Sequence, residues 1–375
     1  MTAPLSPTAA DPAPADPAPA DPAPADLAPA DLRSDRRGGR ARRVTAGPRV
    51  GGVRLGAPVT VRVPASSANL GPGFDSMGLA LTIHDLVTVE AFAPRPGEPT
   101  AVVDVAGEGA STVPAGEEHL VVRSLRAGLE RAGVAQPGLR MRCVNAIPHG
   151  KGLGSSASAI VAGLIAARGL LETPGPLDEA AVFALASAAE GHPDNAAAAA
   201  AGGFVLSWVE EPVVPGGPGS PRFLRLPVDP RVQVVVCVPE DQLATSAARA
   251  MLPASVPHGD AAYTAARAAL LAEALSRHPD LLLTATQERL HQAQRGPAMP
   301  ASAELLTALR RRGAPAVVSG AGPSLLVLCP TADLVDDVVD EVARRNEARG
   351  RWTVLFPEVD TNGGCLVETP ADEQR

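Results

Sequence analysis

The sequence predicts an α+β fold of about two domains, and three observations carry that prediction. The chain has 375 residues, and domains run to roughly 100–200 residues each. Alternating apolar runs of strand type are interspersed with helical spacings, without the strict strand–helix alternation of a doubly wound sheet. Hydrophobic residues make up 45% and aromatic residues 2%, so Val, Leu and Ala must fill the core.

Residues 1–57 carry no fold signal. Asp-Pro-Ala-Pro-Ala repeats give way to an arginine cluster (Arg33, Arg36, Arg37, Arg40, Arg42 and Arg43), which offers nothing to bury and leans toward extended polyproline. Order is expected near Ala57. Val59, Val61 and Val63 alternate as a strand, and a polar, glycine-rich loop is expected over 65–75. Strands follow over 81–91 and 101–106, a helix over 120–133 and a strand over 139–146. The glycine loop Gly150–Ser156 runs into a helix over 157–171, followed by a helix over 177–190 and an alanine-rich helix opened by His192-Pro193-Asp194-Asn195. Residues 212–221, rich in Pro and Gly, mark the best internal boundary. Beyond them come a strand over 232–238 and helices over 246–252, 261–276, 280–292 and 302–311. A glycine turn over 319–324, a strand over 325–329, a helix over 332–347 and a strand over 352–356 complete the chain.

Composition excludes several classes. A net charge of −8 argues against a dedicated nucleic-acid binder. No apolar run reaches the ~18–20 residues of a membrane span, and the first residues lack the basic-then-apolar pattern of a secretion signal. A cytoplasmic location is expected. Cys143, Cys237, Cys329 and Cys365 lie far apart in apolar stretches and read as buried bystanders. His84, His119, His149, His258 and His278 fall singly, without metal-ligand spacing.

Gly150–Ser156 has the chemistry of a phosphate site. Glycines let backbone N–H groups close around an anion, and the following helix aims its unpaired N–H groups at the same point. It is not a Walker A loop, because Lys151 precedes Gly152 and Gly154. Residues 152–157 also fit a relaxed dinucleotide fingerprint with Glu172 about twenty residues on, but the chain lacks the required βαβ alternation. For Lys151 two readings stand: an ammonium on phosphate oxygens, or a solvated loop charge.

Three segments read together are more specific. Pro64-Ala65-Ser66-Ser67-Ala68-Asn69-Leu70-Gly71-Pro72-Gly73-Phe74-Asp75 resembles the first motif of the GHMP kinases. Pro148-His149-Gly150-Lys151-Gly152-Leu153-Gly154-Ser155-Ser156-Ala157 resembles their ATP loop, and Ser319-Gly320-Ala321-Gly322-Pro323-Ser324 their third motif. Order and spacing match, from about Pro58 to the C-terminus. Within that superfamily the chain is similar to the homoserine kinases, on Asn69–Asp75, on Glu190-Gly191-His192-Pro193-Asp194-Asn195, on Thr245–Arg249 and on His291–Arg295.

The resemblance implies a ribosomal-protein-S5-like N-terminal domain over 58–221, a ferredoxin-like C-terminal domain over 222–375, and often a homodimer. It implies ATP on Pro148, His149, Gly150, Lys151, Gly152, Leu153, Gly154, Ser155, Ser156 and Ala157. Where some members carry a magnesium-binding glutamate this chain has Ala184 and Ala186, so Glu190 is the nearest acidic residue to take Mg²⁺ alongside Ser156, a pair of hard oxygen ligands. The implied reaction is phosphorylation of the L-homoserine hydroxyl to O-phospho-L-homoserine. Arg249 and Arg295 would then take the α-carboxylate, and Asn69 with Asp75 the α-ammonium. Asn195 would orient the hydroxyl, because an amide is no base at neutral pH. Asp194 is a possible base, although adjacent helix positions point about 100° apart. His192 reads equally as a substrate contact or as a helix-start turn residue. Three alternatives stay beside this one: a GHMP kinase for another small alcohol, a dinucleotide-dependent oxidoreductase, and an inactive binding protein on the same fold.

Overall fold

The computed structural model describes residues 49–212, 219–348 and 352–368. It opens with a small antiparallel hairpin, β1 (Arg49–Val50) and β2 (Val53–Arg54). Val53 and Leu55 are buried in the core, so order begins ahead of the boundary expected at 57. The Asp-Pro-Ala repeats and the arginine cluster lie outside the described residues.

The alternating valines do begin a strand, but it does not stop at the polar stretch. β3 (Val59–Asn69) pairs antiparallel with the long β4 (Gly73–Phe92). The loop expected over 65–75 is therefore the tip of a hairpin, in which Ser66, Ser67 and Asn69 are buried. Polar residues read as loop because burial of hydroxyls leaves no trace in a hydropathy pattern. Next come β5 (Ala101–Gly107), α1 (Leu120–Arg131), β6 (Gly138–Asn145), α2 (Ser155–Leu170), α3 (Glu179–Glu190) and α4 (Pro193–Ala201). β7 (Phe204–Glu210) and β8 (Ser220–Leu226) pair in continuous register from Phe204↔Leu226 to Glu210↔Ser220. The Pro/Gly segment taken as a domain boundary thus joins the two arms of a hairpin, and a cut at 221 falls inside β8.

The second half holds β9 (Gln233–Pro239), α5 (Thr245–Ala250), α6 (His258–Ser276), α7 (Leu282–Ala285), α8 (Gln292–Arg295), α9 (Pro300–Arg311), β10 (Ala316–Val318), β11 (Leu325–Cys329), α10 (Ala332–Ala348), β12 (Trp352–Leu355) and β13 (Cys365–Val367). The single helix expected over 280–292 is broken. The Glu288 carboxylate accepts hydrogen bonds from the backbone N–H groups of Leu290, His291 and Gln292, offering the chain a local alternative to the helical ladder.

β9–β12 form an antiparallel sheet in the order β10-β11-β9-β12. The larger, seven-stranded sheet runs β13-β3-β4-β6-β5, with β7 beside the start of β4 and β8 beside β7. Only the β5–β6 pairing in it is parallel. The last strand, β13, returns to pair with β3, so the chain's end completes the first sheet.

One apolar cluster holds Ala65, Leu70, Leu79 and Leu153 from the first half together with Val234, Val236, Leu271 and Leu326 from the second. The halves share a core rather than touching across a linker. At about 1.5–3 kcal/mol for each fully buried aliphatic side chain, that shared core fixes their relation firmly. Small residues bring α4 close: Ala196–Ala199 are fully buried, and a Cβ on Gly78 of β4 would lie 2.6 Å from Asp194 O. Among the described residues no helix is long and apolar enough to cross a membrane. Cys143, Cys237 and Cys329 are buried, and burial pushes their thiols up to about 12. Cys365 departs from expectation, sitting half-exposed in β13.

Candidate active site

The three glycine- and serine-rich segments interlock. Gly152 has φ +77°, and a Cβ there would lie 2.2 Å from Ser319 O and 2.8 Å from Gly322 O. Glycine is required because two backbones touch at that point. Ser319 Oγ donates to Gly152 O at 2.7 Å and lies 2.8 Å from Ser67 Oγ. Gly320 N–H donates to Ala68 O at 3.0 Å, and Ser66 N–H to Leu153 O at 3.0 Å. A Cβ on Gly154 would strike Ser66 Oγ at 2.0 Å.

Gly154, left-handed at φ +71°, caps α2 without any side-chain hydrogen bond, and the first turn carries no acidic residue. The N–H groups of that turn and the positive end of the helix dipole are thus available to an anion. At its mouth Ser156 Oγ donates to Glu190 Oε2 at 3.0 Å. Glu190 ends α3, Gly191 turns the chain at φ +85°, and Pro193 starts α4. That abrupt joint gathers Glu190, His192, Asp194 and Asn195 on one rim. Burial raises the Glu190 carboxyl above its usual range.

Ser66 Oγ donates to Asn195 Oδ1 at 2.8 Å, which leaves the amide NH₂ as the end of Asn195 offered to a ligand. Asp194 and Asn195 both line the cleft, against the expectation that adjacent helix positions would diverge. Asp194 is otherwise engaged, however: Oδ1 accepts from Asn195 N–H at 2.7 Å and lies 2.8 Å from His192 Nδ1. That hydrogen bond raises the proton affinity of His192.

The opposite wall is built from side-chain charge. Asn69, Leu70 and Asp75 all have positive φ (68°, 46° and 54°), so the hairpin tip is held against local preference. Asn69 holds it: Oδ1 accepts from Asp75 N–H at 3.0 Å and Nδ2 donates to Gly320 O at 2.8 Å. Asp75 in turn receives a bidentate pair from Arg249, at 2.7 and 3.1 Å. Arg295 is 2% exposed; its Nη1 donates to Gly320 O at 3.1 Å and to His291 Nδ1 at 3.3 Å, while its buried Nε has no hydrogen-bond partner. Burial, then the neighbouring Arg249, lowers its proton affinity. His291 Nε2 meets Gly71 O at 2.8 Å, and burial lowers the proton affinity of that imidazole. The Phe74 ring lies within cation–π reach of both guanidinium groups, 5.8 Å from Arg249 and 5.5 Å from Arg295. Arg310 makes the contrast clear. It is half-buried and donates to Thr286 Oγ1, Ala316 O and Leu283 O, as a structural arginine does.

These groups line one cleft of about 210 Å³. Of the residues singled out from sequence it brings together Asn69, Asp75, Pro148, Gly150, Gly152, Leu153, Gly154, Ser155, Ser156, Glu190, His192, Asn195, Arg249 and Arg295. His149, Lys151 and Ala157 are not in its lining. His149 faces an adjoining hollow that shares Gly150, Ser155 and Ser156 with the cleft and is walled by Val63, Val87, Val121 and Asp85. Ala157 is buried in the first turn of α2. The Lys151 ammonium is directed at the carbonyls of Pro239, Glu240 and Asp241. Sequence reasoning missed Ser66 and Thr245 as site residues. Thr245 could have been found, since it lies one helical turn before Arg249 on α5; a buried serine in a strand gives no such signal.

Comparison with known proteins completes these observations. The family model described as GHMP kinases N terminal domain matches residues 119–203, and that for GHMP kinases C terminal matches 264–348. A homoserine kinase of Streptomyces avermitilis is 50% identical over 316 residues, covering 84% of this chain and 97% of that protein. One of Mycobacterium tuberculosis is 47% identical over 294 residues, covering 78% and 90%. Among solved structures, homoserine kinase from Cytophaga hutchinsonii superposes with a TM-score of 0.71 at 23% identity, over 83% of this chain and 97% of that one. L. major mevalonate kinase in complex with R-mevalonate gives 0.54 at 17%, over 84% and 98%, which speaks for the fold.

Proposed function

The chain belongs to the homoserine kinases within the GHMP kinase family, and from that membership we propose that its cleft transfers the γ-phosphoryl group of ATP to the side-chain hydroxyl of L-homoserine. The carrying observation is the pairing, in one cleft, of a backbone-built anion site with an acid and two arginines. An α-amino acid needs a carboxylate for its ammonium and a guanidinium for its carboxylate, and Asp75, Arg249 and Arg295 supply them.

The triphosphate lies along Gly150–Ser156, held by backbone N–H groups and the start of α2, with the nucleoside in the hollow beside His149. Among the described residues no group of three His, Cys, Asp or Glu could hold a metal alone. Ser156 Oγ and the Glu190 carboxylate are two hard oxygens at the mouth of the phosphate site, a donor set that fits Mg²⁺ completed by phosphate oxygens and water. When bound there, Mg²⁺ neutralises phosphate charge. Asn195, fixed by Ser66, donates its amide N–H to the homoserine oxygen and aims it at the γ-phosphorus. The O–P bond forms as the bond to the β,γ-bridging oxygen breaks; ADP leaves, and the hydroxyl proton passes to a phosphate oxygen or solvent. Phosphoryl transfer asks for positioning and charge neutralisation more than for a base, which suits an amide at this position. The chemistry calls for a site in the cytoplasm, where ATP is supplied. A homodimer is also part of the proposal, on family resemblance alone.

Coupled ADP release tests the reading. L-homoserine should drive turnover and mevalonate should not, with ³¹P NMR showing a phosphomonoester on the amino acid. Turnover with mevalonate and none with L-homoserine would reject it.

A further inference from the structure

Lys151 is the chain's sole lysine, among many arginines. It sits in the middle of the phosphate loop, yet its Nζ reaches Pro239 O at 2.8 Å, Asp241 O at 2.7 Å, and Glu240 O. An ammonium has three N–H donors, and three carbonyls take all three. Nothing remains for a phosphate oxygen. The same geometry accounts for lysine where every other cation is arginine. Three carbonyls converging on a point suit a compact tetrahedral donor, whereas a planar guanidinium fork spreads its N–H groups apart.

The segment so gripped joins the end of β9 to the start of α5 and has no regular structure of its own. A second tie reinforces the first: Leu243 N–H donates to Gly150 O at 3.0 Å. Just beyond these ties, Leu243, Ala244 and Thr245 line the cleft, and the last turn of α5 delivers Arg249 to Asp75. The loop that would hold the nucleotide and the wall that would hold the amino acid are therefore joined by one side chain and one backbone hydrogen bond.

We propose that Lys151 is a positioning residue: it fastens the 239–245 wall to the phosphate loop, so that nucleotide in one half of the cleft strengthens amino-acid binding in the other. The proposal rests on the reading of the cleft as a site for ATP and L-homoserine. Coupling of this kind is reciprocal and typically amounts to about 5–150-fold in affinity.

The test compares wild type, Lys151→Met and Lys151→Arg, with steady-state kinetics and calorimetric titration of a non-hydrolysable ATP analogue and of L-homoserine, each alone and in the presence of the other. Lys151→Met is expected to keep the analogue's own affinity within about twofold, to raise the KM for L-homoserine roughly tenfold with kcat little changed, and to abolish the enhancement of one ligand by the other. Lys151→Arg is expected to restore part of that enhancement. Amide hydrogen exchange over 240–249 reads the tie with no ligand present and should quicken in Lys151→Met. Should that variant fold poorly, reductive methylation of the folded wild type keeps the charge while removing two donors, and the same split is expected. Loss of analogue affinity with the KM for L-homoserine unchanged would make Lys151 a phosphate ligand and overturn the proposal, as would unaltered exchange over 240–249. Wild type that fails to bind L-homoserine would instead reject the substrate reading, with the exchange experiment still deciding the tie.

Discussion

On the proposed reading, the two halves of the cleft would recognise charge by opposite means. The phosphate half presents backbone: three left-handed glycines, Gly150, Gly152 and Gly154, and the uncapped start of α2, with its one nearby cation directed elsewhere. The amino-acid half presents ionised side chains that already balance one another, Asp75 against Arg249, with Arg295 and His291 behind them. A backbone site depends on shape, so the smallest added atom harms it while pH does not. A side-chain site tolerates small changes of shape, but depends on every partner in its charge network and responds to protons.

Gly152→Ala attacks the first half at its tightest point. The new methyl would press on the Ser319 and Gly322 carbonyls from a left-handed backbone position. Turnover should vanish, and stability should fall by about 2–4 kcal/mol in urea titrations. Wild-type stability in this variant would mean that the contact between the two glycine turns is slack. Asn195→Ala lies between the halves, and removing its donor should lower kcat by about 10²-fold with both KM values nearly unchanged. Asn195→Asp sharpens the point. It should also be poor, since a carboxylate cannot donate and repels the γ-phosphate; a gain in activity would reveal a need for a base.

The smallest effect is one of pH and comes from two histidines at and behind the cleft wall. His192 is raised by its hydrogen bond to Asp194, so its stabilising contribution is complete below the ordinary histidine value of 6.5 and is lost as pH climbs through the folded value. The melting-temperature gap between wild type and His192→Gln should therefore be widest near pH 6 and close toward pH 9. His291 is depressed by burial and works the other way: the unfolded chain takes up its proton more readily than the folded one, so stability falls as pH drops below 6.5. A gap for His192→Gln that widens with alkalinity would show that Asp194 does not hold its proton.

The same contrast governs what could be read from the sequence. Glycines and serines at fixed spacing point to a phosphate loop because the geometry is local, and that reading of Gly150–Ser156 came from the residues alone. Asp75, Arg249 and Arg295 come from three distant segments; only their resemblance to a family joined them, and no spacing rule shows that Asp75 and Arg249 pair. The α+β class and most elements followed from periodicity. β13 and the β7–β8 pairing did not, because a short edge strand and strands flanking a Pro- and Gly-rich segment carry little periodic signal. Ser66 and Asn69 were taken for loop residues, since polar groups satisfied inside a strand leave no hydropathy signal. Lys151 was the least legible: its partners are backbone carbonyls nearly ninety residues away, and carbonyls have no sequence.

The division of labour is tested most directly by Arg295→Ala, titrated separately with a non-hydrolysable ATP analogue and with L-homoserine. Removing a buried charged partner costs about 2–5 kcal/mol, so L-homoserine affinity should fall by at least about thirtyfold while the analogue binds within twofold of wild type. A variant that keeps its amino-acid affinity and loses the nucleotide instead would place Arg295 on the phosphates and contradict the two-halved cleft.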